Sequence, residues 1–317
     1  MGQDLKERMD VPEAVQAVSP PPKQSGGQGL AKLAAGMAAL SLIISCAALV
    51  LTLRGAAAPQ EPEAAAQPMT VEAGPTITYR DQELPVFETV AVNRYDEELF
   101  DVNDRGWITY QSSQGSAKMG VDVSAYQANI DWKQVADSGI SFAMIRCGYR
   151  GYAKGVVVED KLFQKNIKGA LDAGLDVGVY FFSQATNVWE AQEEADYVLE
   201  AIKGYNITYP VAFDWEFIAG AGKARTNGMQ ADDITRCAGA FCDMIAEAGY
   251  EPMIYFNQDL GYLSYQLDAL SDYNFWLAEY RTAPNFYYHF DLWQYTHRGE
   301  VPGIEGHVDL NLDLRGT

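Results

Sequence analysis

The sequence predicts an α/β barrel whose last third lacks helices, and three observations carry that prediction. From residue 119 onward, short apolar runs alternate with helical patterns, as βα units around a parallel sheet require. The runs number eight, at 120–123, 142–146, 177–182, 211–215, 253–256, 275–278, 292–295 and 308–310. Helical periodicity fills the connections up to residue 270 and is missing after residue 278. The expected architecture is an incomplete TIM-like barrel, five βα units followed by three strands.

The chain has 317 residues, room for one large domain and accessory segments. Residues 1–32 are polar, carry Pro20-Pro21-Pro22 and Gly26-Gly27, and read as a disordered cytoplasmic tail. Residues 33–53 contain no charged side chain and are long enough to cross a bilayer as a single transmembrane helix. Lys6, Arg8, Lys23 and Lys32 precede that run and only Arg54 follows closely, which puts the N-terminus in the cytoplasm and the rest outside the cell membrane. Secretion after cleavage is the alternative, either near Ala56-Ala57-Ala58 or at a lipoprotein-like Ile43-Ile44-Ser45-Cys46. The length of the run and its continuation past Cys46 favour an uncleaved anchor. Residues 54–75, rich in Ala, Pro, Glu and Gln, read as an extended linker. Residues 76–118 hold short β-prone pieces and are expected to form a small β-rich accessory segment, with the barrel at 119–317.

Within the barrel, Leu162, Phe163, Ile167, Ala170 and Leu171 recur at helical spacing behind Asp160, a capping residue type. Trp189, Ala195, Val198, Leu199 and Ile202 repeat the pattern, and Ile234, Cys237, Ala238, Phe241, Ile245 and Ala248 do so again. Shorter helices are expected near 132–136 and 260–270. Residues 281–291 and 296–307 carry no helical period. A parallel crossover normally takes a helix, so the last strands are expected to be antiparallel or irregular.

The chemistry concentrates at 210–216 (PVAFDWE). Alternate residues of a strand share a face, so Asp214 and Glu216 project together, about 6.6 Å apart along the backbone, while Trp215 points away into packing. Barrels of this kind work at the C-terminal mouth of their strands. Asp122 ends the first strand there, Asp214 and Glu216 the fourth, Gln294 and Tyr295 the seventh, and Asp309 lies in the eighth. Carboxylates crowded in this way cannot ionise independently, which splits their pKa values and suits acid–base work.

Other chemistries find less support. A formal net charge of −20 argues against nucleic acid as a partner. His289, His297 and His307 match no zinc spacing and no GxSxG is present. An all-oxygen metal site is the competing use of the acids, and no cofactor is expected. Cys147, Cys237 and Cys242 have no disulfide or zinc spacing and are expected as buried thiols. Glycoside hydrolysis fits the acids best, and it adds a need for aromatic faces that hold sugars. Tyr180 and Tyr255 are the preferred ligands among the aromatic strand-end residues, which include Trp276 and Tyr295.

Residues 119–127 (MGVDVSAYQ) with Ile130-Asp131-Trp132, the triplet Asp214-Trp215-Glu216, Trp293-Gln294-Tyr295 and 308–311 (VDLN) resemble, in order, the motifs of glycoside hydrolase family 25. The resemblance runs from Met119 to about Leu314. It implies a (β/α)5β3 barrel and a muramidase that cuts peptidoglycan between N-acetylmuramic acid and N-acetylglucosamine. It also implies Glu216 as proton donor and Asp214 as stabiliser of the reacting sugar, through its 2-acetamido group or directly. Asp122 and Asp309 then complete an acidic floor, and Tyr180 falls in the family's Tyr-rich third strand. Cys147 and Glu279 depart from the family's usual residues. A catalytically silent glycan-binding module on the same barrel is the alternative, and an intact proton donor speaks for the enzyme. The chitinase-like series DxxDxDxE is absent. Peptidoglycan is the expected partner, no protein partner is inferable, and remodelling of the cell's own wall is the expected role.

Overall fold

A computed structural model describes residues 74–218, 222 and 224–317. The expected tail, transmembrane helix and linker (to residue 73), together with Cys46, lie outside the described residues. Among the described residues no helix is long and apolar enough to cross a membrane.

The first part of the described chain forms two hairpins. Strand β1 (Thr76–Tyr79) pairs antiparallel with β2 (Gln82–Pro85), and β3 (Phe100–Val102) with β4 (Ile108–Tyr110). The barrel strands follow as β5 (Lys118–Val123), β6 (Phe142–Arg150), β8 (Asp176–Ser183), β9 (Val211–Trp215), β10 (Pro252–Asn257), β11 (Asn274–Ala278), β12 (Leu292–Gly299) and β13 (Val308–Asp313). A short edge strand, β7 (Val157–Glu159), folds back on β6. The helices are α1 (Trp132–Asp137), α2 (Phe163–Asp172), α3 (Val188–Ala201), α4 (Ala231–Glu247) and α5 (Gln258–Leu263). Neighbours run β5-β13-β12-β11-β10-β9-β8-β6, and β5 pairs with β6, so eight strands close a barrel.

The sheet is parallel from β5 round to β12, and β13 is antiparallel to both its neighbours. This corrects one expectation. The seventh strand, β12, runs parallel to β11 although no helix joins them. The connection is held another way: the Glu279 carboxylate accepts from the Asn285 amide at 3.1 Å, and Trp293 Nε1 donates to the Glu279 carbonyl at 2.8 Å. Phe286, Tyr288 and Phe290 in this loop are buried and supply the apolar anchor a helix face would have given.

Two apolar layers result, because strand residues alternate between faces. The barrel interior holds Phe142, Met144, Tyr180, Tyr209, Ala212, Met253, Tyr255, Trp276, Ala278 and Leu292. At its lower end Phe142 stacks on Tyr209 at 4.6 Å and Tyr209 donates to Asp313 at 2.7 Å. Gly120 admits that ring: a Cβ there would meet Phe142 at 2.3 Å. The outer layer packs strands on helices, as where Phe213 of β9 meets Phe241 of α4 at 5.2 Å. Cys147, Cys237 and Cys242 are free and buried in it. Trp189 departs from its periodicity-based place on a packed face: it sits in the first turn of α3 and is 81 % exposed.

Where β11 to β13 lack helices, the N-terminal segment covers them. Val92 bridges Tyr288, the Asn93 and His289 amides donate to the Tyr287 and Ala91 carbonyls, and Tyr95 donates to the Phe290 carbonyl. Phe100 packs edge-on against Trp293 at 5.3 Å, and Trp107 Nε1 donates to the Glu300 carbonyl.

Candidate active site

The C-terminal ends of β5, β8, β9, β10, β12 and the start of β13 surround one mouth. On β9, Ala212 belongs to the barrel interior while Val211, Phe213 and Trp215 belong to the outer layer, so Asp214 shares the inward face. Trp215 is fully buried, donates to the Ala185 carbonyl at 3.1 Å and stacks edge-on with Phe217. Glu216 follows directly, one residue beyond the end of the strand, half-buried. Asp122 and Asp309 are direct partners across the β13–β5 ladder, and Asp122, Asp214 and Asp309 are all buried.

Like charges directly opposite across a ladder are unfavourable unless something answers them. Around Asp122 the answer is a set of carboxamides. Gln294 Nε2 and Asn311 Nδ2 both donate to its Oδ2, each at 2.8 Å. Gln294 Oε1 in turn accepts from Tyr255 at 3.1 Å and Tyr280 at 2.9 Å, and Asn311 Oδ1 accepts from Trp276 Nε1 at 2.9 Å. Amides with both ends engaged this way have a defined orientation, with the N–H side toward the carboxylate.

The two tyrosines register the acids around them. Burial pushes the Tyr180 phenol well above its ordinary pKa; Arg146 opposes this, and Asp122, Asp214 and Asp309 reinforce it. Burial does the same to Tyr255, reinforced by Tyr280, Glu216, Asp214 and Asp122. Both phenols therefore stay protonated and can donate hydrogen bonds at any ordinary pH. Arg146, level with Tyr180 in the β6–β8 register, is a cation at this acidic mouth. It pairs with buried Asp160 at 2.8 Å and lies over the Tyr126 and Tyr149 rings at 5.3 and 5.6 Å.

Of the residues expected at the site, Asp122, Asp214, Glu216, Asp309, Tyr180, Tyr255 and Gln294 come together here. Tyr295 does not. It follows Gln294 on β12 and so faces the outer layer, buried with its ring 5.6 Å from Trp293. Trp276 lies beneath the site rather than on it. At 1 % exposure it cannot touch a sugar, and it supports Tyr255 and Tyr180 edge-on at 4.9 and 6.0 Å. Sequence reasoning passed over Arg146, Tyr280 and Asn311 as site residues. The alternation in 308–311 carried a signal for Asn311, two positions from Asp309 on the same strand.

Residues 121–304 match the glycosyl hydrolases family 25, more than half of the chain. The chain belongs to that family. Its relatives include the autolytic lysozyme of Clostridium acetobutylicum, 26 % identical over 197 residues, which cover 61 % of this chain and 54 % of that protein. Among solved structures, a family 25 glycosyl hydrolase from Bacillus anthracis superposes with a TM-score of 0.53 at 27 % identity, covering 62 % of this chain and 88 % of that one. The modular autolysin LytC of Streptococcus pneumoniae, solved in complex with a synthetic peptidoglycan ligand, gives 0.53 at 27 % identity, covering 75 % of this chain and 52 % of that one. The family 25 chain thus spans about half the length of that curated relative and of LytC. The family membership expected from the motifs is shown.

Proposed function

We propose that this family 25 protein hydrolyses peptidoglycan at the β-1,4 bond between N-acetylmuramic acid and N-acetylglucosamine. The observation that carries the reading is the convergence of Asp122, Asp214, Glu216 and Asp309 on the buried Tyr180 and Tyr255 at one barrel mouth. Glu216 donates a proton to the leaving glycosidic oxygen as the bond from the anomeric carbon breaks, and Asp214 stabilises the cationic sugar that results. Water then adds at the anomeric carbon, and a proton leaves with Glu216 or solvent as the acceptor. Tyr180, Tyr255, Asp122 and Asp309 orient the sugar, and Gln294, as buried as Trp276, holds Asp122 in place from behind.

In this reading the barrel is an incomplete TIM-like (β/α)5β3 domain. Residues 33–53 tether it as a single-pass helix with a cytoplasmic N-terminus, so that the catalytic domain works outside the cell membrane on the cell's own wall. Digestion of purified peptidoglycan by the full chain, with analysis of the new reducing ends, tests the reaction and the bond together. N-acetylmuramic acid reducing ends are expected. Binding without release would overturn hydrolysis in favour of a glycan-binding module.

A further inference from the structure

The strand that delivers Asp214 ends one residue short of the proton donor. β9 pairs with β8 as far as Trp215 opposite Ser183, and with β10 as far as Asp214 opposite Tyr255, so neither ladder extends to Glu216. A side chain takes the next rung. Gln184 Nε2 donates to the Glu216 carbonyl at 2.7 Å and to the Ser183 carbonyl at 2.9 Å. Gln184 Oε1 accepts from Thr226 Oγ1 at 3.0 Å, and both residues are completely buried. The same two segments are tied again on either side. Trp215 Nε1 donates to the Ala185 carbonyl, and Arg225 donates to Thr186 Oγ1 at 3.3 Å while its guanidinium pairs with Glu190.

We propose that Gln184 is a positioning residue for the proton donor. Its amide fixes where the main chain of Glu216 leaves the strand, and Thr226 fixes which way that amide faces. A planar carboxamide engaged at both ends has one orientation, and a fully satisfied buried network is rigid. General-acid catalysis needs the carboxyl within hydrogen-bond reach of the leaving oxygen, and a displacement of about 1 Å costs on the order of 10² in rate. This inference rests on the reading of Glu216 as the acid.

The test compares two substrates in the full-length protein. One is peptidoglycan; the other is a nitrophenyl β-glycoside of the N-acetylglucosaminyl–N-acetylmuramic acid disaccharide. Its nitrophenolate departs as an anion and needs no proton. Gln184→Met keeps length and volume but has no amide. It is expected to lower kcat on peptidoglycan by roughly 10- to 100-fold with KM within about threefold, and to lower turnover of the nitrophenyl substrate less than about threefold. Glu216→Gln should show the same selective pattern. Thr226→Val should follow Gln184→Met, and Thr226→Ser should recover most of what Thr226→Val loses. Equal losses on both substrates, or no loss on peptidoglycan, would overturn the positioning role. If Glu216→Gln itself keeps full activity on peptidoglycan, the acid assignment falls and this inference with it. If Glu216→Gln is impaired while Gln184→Met is not, only the inference falls.

Discussion

Two pairs of acids share one mouth, and they are held differently. Asp122 and Asp309 face each other inside a regular ladder, and carboxamides that are themselves anchored by Tyr255, Tyr280 and Trp276 donate to Asp122. Asp214 and Glu216 straddle the end of a strand, with Asp214 inside the ladder and Glu216, two residues on, outside it. The first pair is fixed within the sheet. In the second, Asp214 is fixed by the ladder, while Glu216 beyond it is held through its main-chain carbonyl by Gln184. The first pair is made by register across two strands and the second by alternation along one, and only Glu216 stands where the backbone is released from the sheet.

Breaking the second pair should have the largest effect. Glu216→Gln is expected to lower turnover of peptidoglycan by at least about 10², as loss of a general acid does. Asp214→Asn should also impair turnover strongly, by more than about tenfold, since the cationic sugar loses its stabilising charge. A pH–rate profile checks the role: recovery of full activity by a pH shift alone would turn Asp214 from a stabilising charge into a group that tunes its neighbour.

The first pair is sharpened by its supports. Asn311→Leu removes one donor to Asp122 and the acceptor of Trp276 Nε1, both buried. It should cost about 1–3 kcal/mol of stability in chemical denaturation and lower kcat/KM by about tenfold. Tyr255→Phe should act more weakly, within about fivefold on KM, because Gln294 Oε1 still accepts from Tyr280.

The far end of the barrel supplies a control away from both pairs. Burial alone would raise the Asp313 carboxyl, but the Arg315 guanidinium and the Tyr209 hydroxyl hold it below its usual range. Its folded pKa is depressed, so its contribution is present above the unfolded value near 4 and is lost as pH falls through the folded one. Asp313→Asn should be less stable than the parent at pH 7, by about 1–3 kcal/mol, and the difference should shrink toward pH 3.

How much of this was legible follows from how local each signal is. All eight barrel strands were marked by short apolar runs, because a strand packed on both faces needs apolar residues throughout; 211–213 (VAF) is one. Four acids meeting at the mouth followed from strand ends alone. The β11–β12 crossover was not legible. Its anchor is Phe286, Tyr288 and Phe290 under residues some two hundred positions earlier, and no period reports such a contact. Tyr295 was placed at the mouth beside Gln294, although consecutive strand residues face opposite ways. Gln184 left no mark, because a buried glutamine between a strand and a helix looks like any loop residue until its partners, Glu216 and Thr226, are seen.

The most direct measurement is made with Glu216→Gln on purified peptidoglycan, following new N-acetylmuramic acid reducing ends and cosedimentation with the wall together. The account predicts that reducing ends fall by at least about 10² while binding stays near that of the parent. Unchanged release of reducing ends would contradict it.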